Sequence, residues 1–287
     1  MIPAPFDYLT PATLDEAIRL LSAHGENARL LAGGHSLLPL MKLRLLSPKI
    51  LIDLSRIPNL GGTKEEGGKI VIGALTTHYQ IESSRLLQEK CPLLPRTART
   101  IGDLQVRNRG TIGGSLAHAD PAADMPAAIL ALGAELRCTG PERDLWIKAE
   151  DFFLGLYATA LKTAEIVTDI RVPVSPGCSG AAYLKEAQKA SGFALVGVAV
   201  WLKIDDHGAC EDIGVGVTGL GGKPFRARLV EERLRGKKLG PAVIEGASSG
   251  AAEGVEPLED IHASAEFRAH LARLYTARAI QQAAASV

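Results

Sequence analysis

The sequence of 287 residues predicts an α+β protein built from two domains. Three observations lead there. Up to about residue 170, short apolar runs alternate with helical periodicities; a proline and glycine cluster, VPVSPGCSG from Val172 to Gly180, then interrupts the chain; and beyond it two long apolar runs stand at hairpin spacing, followed by helices. The expected division is residues 1–177 and 178–287.

The elements follow in order. TLDEAIRLLSAH sets Leu14, Ala17, Ile18 and Leu21 at helical spacing, with Thr13 as N-cap, Glu16 to complete a capping box and Gly25 as the stop. The apolar run ARLLAG leads into a glycine loop, then LLPLMKLRLL, then the buried strand KILIDLS. KIVIGALTT reads as a strand, followed by a helix near Tyr79 to Gln88 and another from Leu93 to about Gly102. DMPAAILALGAE predicts a helix with Asp124 as N-cap, Pro126 in the first turn and Gly133 at the end. FALVGVAVWLKI and CEDIGVGVTGL, joined by DDHGA, predict antiparallel neighbours. In the last helix Phe267, Leu271, Leu274 and Tyr275 fall on one face.

Composition narrows the function classes. With 32 basic and 32 acidic residues the net charge is zero, which favours a small ligand over nucleic acid or an acidic membrane. The first residues, MIPAPFDYLTPATLDEA, lack a leader pattern, and no run approaches the roughly 18 apolar residues of a membrane span, so the expectation is a soluble, cytoplasmic chain. Cys91, Cys138, Cys178 and Cys210 are scattered without a CxxC pair, so reduced thiols are expected, with no metal and no cluster in this chain.

Two motifs point to chemistry: AGGHS, Ala32 to Ser36, and TIGGS, Thr111 to Ser115, in the longer stretch RGTIGGSLAHADPAAD. Paired glycines admit dihedrals closed to other residues and let backbone N–H groups approach a ligand. Successive inward N–H groups favour an anion, and Ser36, Thr111 and Ser115 add hydroxyls. Two such loops could grip a diphosphate from opposite sides; the plainer alternative is that both are only turns. Neither is the GxGxxG of a dinucleotide fold, and neither ends in Gly-Lys followed by Ser or Thr. Asp124 caps a helix and is also placed to accept from a ribose or ribityl hydroxyl. His118, Asp120 and Asp124 fit no usual metal-ligand spacing, and Asp120 before Pro121 suits a turn. His35 is expected to be a loop residue rather than a base, and no nucleophile arrangement is apparent, so no catalytic residue is assigned.

LLAGGHSLLPLMKLRL, RNRGTIGGSLAHADPAADMPAAILALGA and YLKEAQKASGFALVGVAV together resemble the FAD-binding medium subunits of molybdenum hydroxylases, the xanthine dehydrogenase family, nearest to the aerobic carbon-monoxide-dehydrogenase group. The resemblance runs through essentially the whole chain, with the two glycine motifs about 80 residues apart. It implies an FAD-binding domain of the vanillyl-alcohol-oxidase (PCMH) type in two α/β subdomains, about 1–55 and 56–177, and a C-terminal domain of antiparallel strands and helices. It further implies that Ala32, Gly33, Gly34, His35 and Ser36 and then Thr111, Ile112, Gly113, Gly114 and Ser115 hold the FAD diphosphate and ribityl. Asp124 matches a cofactor-contacting aspartate, Val167 a backbone contact to the isoalloxazine and Lys185 a lysine near that ring.

Two departures stand out. Ser115 replaces an asparagine frequent in relatives, and Phe193 stands where Tyr or Asp is common, which leaves a ring able to cover a flavin face without a hydroxyl. By resemblance the chain is an electron relay. A large subunit holds molybdenum-cytosine dinucleotide, a small subunit two 2Fe-2S clusters, and FAD passes electrons to an external acceptor such as quinone, NAD or oxygen, in a dimer of heterotrimers at the cytoplasmic side, peripheral to the membrane through the complex. The alternatives are a subunit of an N-heterocycle, aldehyde or xanthine hydroxylase, a free-standing flavin oxidoreductase and a non-enzymatic scaffold. His118 and Asp120 receive no role.

Overall fold

The computed structural model describes residues 2–287. The chain opens with β1 (Asp7–Leu9), α1 (Leu14–His24), β2 (Ala28–Leu31), α2 (Leu37–Lys42) and β3 (Ile50–Asp53). The three strands pair in parallel in the order β1-β3-β2, with Leu31 opposite Asp53. Parallel pairing needs a crossover, and the segment bearing α2 supplies it. The AGGHS loop therefore leaves the C-terminal end of β2. Helix α1 starts as expected: the Thr13 hydroxyl accepts from the Glu16 N–H. The Glu16 carboxylate, however, reaches the N–H of Ala12, not that of Thr13. Gly25 ends the helix at φ +49°.

The next sheet is antiparallel, ordered β4-β5-β10-β6-β7. Along the chain this part runs β4 (Thr63–Glu66), β5 (Lys69–Gly73), α3 (His78–Ser83), α4 (Arg85–Lys90), α5 (Leu93–Ala98), α6 (Leu104–Arg109), α7 (Ile112–His118), α8 (Asp124–Ala131), β6 (Glu135–Thr139), β7 (Asp144–Lys148), α9 (Ala149–Phe152), β8 (Phe153–Gly155), β9 (Ala158–Thr159) and β10 (Ile166–Pro173), with β8 and β9 paired to each other as a separate two-stranded sheet. The helix expected near Tyr79 to Gln88 is two helices, because Ser84 is extended at ψ 113° and its hydroxyl caps α4. The helix expected to reach Gly102 stops at Ala98; tighter turns carry the chain to Ile101 through Thr100 N–H to Thr97 O at 3.0 Å and Ile101 N–H to Ala98 O at 3.1 Å.

The last part comprises β11 (Ser179–Ala187), β12 (Ala194–Ile204), β13 (Cys210–Thr218), β14 (Phe225–Arg226), α10 (Arg228–Leu234), α11 (Pro241–Ser248) and α12 (Ala265–Ala284). The expected hairpin forms between β12 and β13, within an antiparallel sheet ordered β11-β12-β13-β14. Asp205 closes it by accepting from the N–H groups of His207 and Ala209, with Gly208 at φ +78°. The buried face of α12 differs from the expected one. Arg268, Leu271, Ala272, Thr276 and Ala279 are buried, Leu274 and Tyr275 are half-buried and Phe267 is 47% exposed. Close approach sets this rotation: a Cβ on Gly180 would lie 1.9 Å from Ala283 O, so small residues must face β11.

Helix α8 joins the two halves. All its residues are buried, which suits a segment apolar on every side after Asp124. It lies flat on β13, where a Cβ on Gly214 would sit 1.9 Å from Ala131 O and one on Gly216 2.0 Å from Ala127 O. The Thr218 hydroxyl completes the junction at Pro121 O (2.6 Å) and Ala123 O (2.8 Å). No helix among the described residues is long and apolar enough to cross a membrane.

Candidate functional site

The fold brings the two glycine motifs together. A Cβ on Gly33 would lie 2.1 Å from Arg109 O, and one on Gly114 would lie 3.8 Å from the Ala32 Cβ. In the first loop Gly34 is at φ +78° and its carbonyl accepts from the Leu38 N–H at 2.9 Å. Among the described residues, no backbone carbonyl takes the N–H groups of Gly33, Gly34, His35 or Ser36, and the Ser36 side chain makes no capping bond. Four successive amides and a hydroxyl beside a left-handed glycine form a cradle suited to an anion.

The second motif works differently from the expected row of free amides. Ile112 N–H donates to Thr76 O (3.0 Å), Gly113 N–H to Ala74 O (2.8 Å) and Ser115 N–H to Thr111 O (3.0 Å). Gly114 N–H goes to the Thr111 hydroxyl at 3.2 Å, which makes Thr111 the N-cap of α7. The paired glycines here serve close packing: a Cβ on Gly113 would meet the Ala74 Cβ at 2.4 Å. What TIGGS can present to a ligand is therefore small side chains and a thin helix start. Ala74 N–H also bonds Thr168 O at 2.9 Å, tying this motif to β10 where its pairing with β6 is shifted, next to Val167. Val167 itself is buried.

His35 is exposed and its Nε2 lies 3.3 Å from Gln105 O. His78, which the sequence did not single out, is buried against Gly110, and among the described residues its Nδ1 has no hydrogen-bond partner. Burial above all, with the neighbouring His35 and Arg107 charges, pushes its pKa down to about 4. The folded state thus excludes a proton that the unfolded state binds from 6.5 downward. Stability is full above pH 6.5 and is lost on acidification towards pH 4, by about 3 kcal/mol across the whole shift. His78→Gln should flatten this dependence in urea melts at pH 7.5 and pH 5; an unchanged slope would assign the acid loss elsewhere.

Asp124 departs from its expected role as N-cap. Ala123 takes that position, and the Asp124 carboxylate points at the C-terminal domain, where it accepts from the Tyr183 hydroxyl and, at 2.9 Å, from Lys185 Nζ. Burial pushes the Asp124 pKa up while Lys185 and Tyr183 pull it down. Lys185 also donates to Gly192 O at 2.6 Å, which fixes the turn just before Phe193. Phe193 is 44% exposed and lines a cleft of about 240 Å³ between the two halves, with Asp120, Tyr157, Gln188, His262 and Arg268 around it. His118 and Asp120, left without a role by the sequence, meet at Tyr157: the imidazole lies 5.2 Å from its ring, and the phenol is 3.5 Å from Asp120 Oδ2. Among the described residues no three His, Cys, Asp or Glu side chains gather as a ligand set, and all four cysteines are free.

Sequence reasoning missed Tyr183 and the carbonyl of Arg109. The first had a signal: strand alternation puts Tyr183 and Lys185 on one face. The second had none, because it depends on the packing of α6 against a distant loop.

Residues 4–175 match the family described as the FAD binding domain in molybdopterin dehydrogenase, and residues 181–283 match the CO dehydrogenase flavoprotein C-terminal domain. The carbon monoxide dehydrogenase medium chain of Hydrogenophaga pseudoflava is 40% identical over 283 residues, covering 99% of this chain and 98% of that one. The nicotine 6-hydroxylase medium subunit of Paenarthrobacter nicotinovorans is 37% identical, with 97% of each chain covered. The solved structure of reconstituted CO dehydrogenase from Oligotropha carboxidovorans superposes with a TM-score of 0.97 at 39% identity, covering 100% of both chains. With two domain matches in sequence and relatives alike from end to end, the chain belongs to the FAD-binding flavoprotein subunits of the molybdenum hydroxylases.

Proposed function

We propose that this chain holds FAD across its two glycine motifs and relays electrons through it, as the flavoprotein subunit of a carbon-monoxide-oxidising molybdenum hydroxylase. The observation that carries the reading is the first loop, whose four amide N–H groups from Gly33 to Ser36 have no carbonyl acceptor beside a second motif within van der Waals reach. A diphosphate satisfies such a cradle without a lysine. Bound FAD supplies the exchange between one-electron and two-electron transfer. The protein's part is to hold and to tune: Ala32 to Ser36 on the diphosphate, Thr111 to Ser115 along the ribityl side, the Val167 backbone, Asp124 and Lys185 at the ring, and Phe193 over it. The cleft beside Phe193 gives an external acceptor a route.

Two partner chains complete the reading, a large subunit with molybdenum-cytosine dinucleotide and a small subunit with two 2Fe-2S clusters, in a cytoplasmic dimer of heterotrimers. The names of its relatives support carbon monoxide as substrate. A second reading, oxidation of an N-heterocycle, is favoured by the similarity to the nicotine 6-hydroxylase subunit. Purified native complex should contain one FAD per copy of this chain and bleach its flavin absorbance under carbon monoxide. A flavin-free complex would overturn the FAD reading, and bleaching by an N-heterocycle alone would favour the second substrate class.

Gly114→Val separates binding from folding. Its Cβ would touch only the Thr111 hydroxyl, at 2.8 Å, before reaching the Ala32 side, and the backbone there is not left-handed. The expected outcome is a folded chain by circular dichroism that retains less than about a tenth of its flavin, a loss of about 1.4 kcal/mol or more. Full flavin content in this variant would mean that the ribityl chain does not run along Thr111 to Ser115.

A further inference from the structure

We propose that Tyr183 is a positioning residue of the flavin site: by donating to Asp124 it sets how much of the Lys185 charge acts on the bound cofactor. This rests on the reading that FAD lies beside Asp124 and Lys185.

The arrangement is a built one. Asp124 is 5% exposed, Tyr183 6% and the Lys185 side chain 8%. The carboxylate divides its acceptors, Oδ1 to the phenol and Oδ2 to the ammonium. Gly197, paired with Lys185 across the sheet, leaves room for the phenol, since a Cβ there would lie 2.4 Å from Tyr183 Oη. The Gly192 carbonyl takes a second ammonium proton and locks its position.

In so dry a site each charge acts over a distance that water would otherwise screen. Reduction adds electron density to a flavin, so an ammonium beside it favours the reduced form, and the Asp124 carboxylate opposes that effect. Tyr183 draws part of the carboxylate's charge towards itself. Tyr183→Phe leaves that charge directed at Lys185 and neutralises the ammonium more fully. Asp124→Asn removes the charge and leaves the ammonium uncompensated. The two substitutions therefore act in opposite directions.

The test is a spectroelectrochemical titration of the flavin in the purified complex. The expected result is a lower midpoint potential in Tyr183→Phe and a higher one in Asp124→Asn, with FAD content near wild type in the former. An unchanged potential in Tyr183→Phe with flavin retained, or shifts of the same sign in both variants, would overturn the proposal and leave Tyr183 a packing residue. If Tyr183→Phe yields no complex, Lys185→Gln takes its place and must lower the potential where Asp124→Asn raises it; no shift there overturns the proposal equally. Absence of FAD from the wild-type complex is a separate outcome that removes the flavin reading itself.

Discussion

Gly33→Val should abolish FAD retention, weakening flavin binding by about 100-fold or more. The reason lies in the loop-to-loop contact rather than in the ligand. A Cβ at this position would stand 2.1 Å from Arg109 O and 2.8 Å from both Arg109 C and Gly110 Cα, all of them backbone atoms. That backbone has nowhere to retreat, because Gly110 N–H is bonded to Val106 O at 2.7 Å and Gly110 O accepts from His78 N–H at 2.9 Å. The two motifs must separate. Overpacking of this kind costs about 3 kcal/mol, and if the separated state is the only one open to the variant, the same energy is withheld from binding, which is about two decades of affinity. Flavin titration into the deflavinated chain measures it. Gly246→Ala, where an added Cβ meets nothing within 4 Å, serves as the matched control and should bind as wild type does. A Gly33→Val chain with wild-type flavin affinity would show that the two loops do not act as one clamp.

The contrast between Gly33 and Gly114 marks what the sequence could and could not convey. Local signals were readable: the Thr13 cap and Gly25 stop of α1, the Asp205 to Gly208 hairpin, and the presence of a helix in DMPAAILALGAE. The two GG pairs were readable as motifs, and they do stand together. Their distinct jobs were not, because the partners of Ile112 and Gly113 are carbonyls of Thr76 and Ala74, fixed only when the chain folds back on β5 and its following turn. Asp124 illustrates the same limit. A carboxylate before an apolar helix looks like a cap from its neighbours alone, and the phenol that claims it is 59 residues away. The face of α12 was misplaced for a related reason: hydrophobicity pointed to Phe267, whereas the backbone of Ala283 against Gly180 demanded small residues at the contact.

Asp124→Ala should destabilise the chain by about 3–5 kcal/mol, the usual cost of removing one partner of a buried ion pair. The penalty comes from what remains. Lys185 keeps its ammonium in a site with a side-chain exposure of 8%, with Gly192 O as its surviving acceptor, and the Tyr183 hydroxyl loses its acceptor altogether. At about 2–4 °C per kcal/mol for a chain approaching this size, the melting temperature should fall by about 10 °C. The damage should concentrate at the junction of the two halves, because Asp124 belongs to α8 and both its partners to β11. Adding Lys185→Met removes the stranded charge, so the double variant should be more stable than Asp124→Ala alone by more than about 1 kcal/mol, the size of coupling that contacting residues show. Additive losses in thermal or urea melts would mean that Asp124 and Lys185 are not energetically linked, and the buried pair would then be an incidental neighbour rather than the clasp that holds the C-terminal sheet over the cofactor domain.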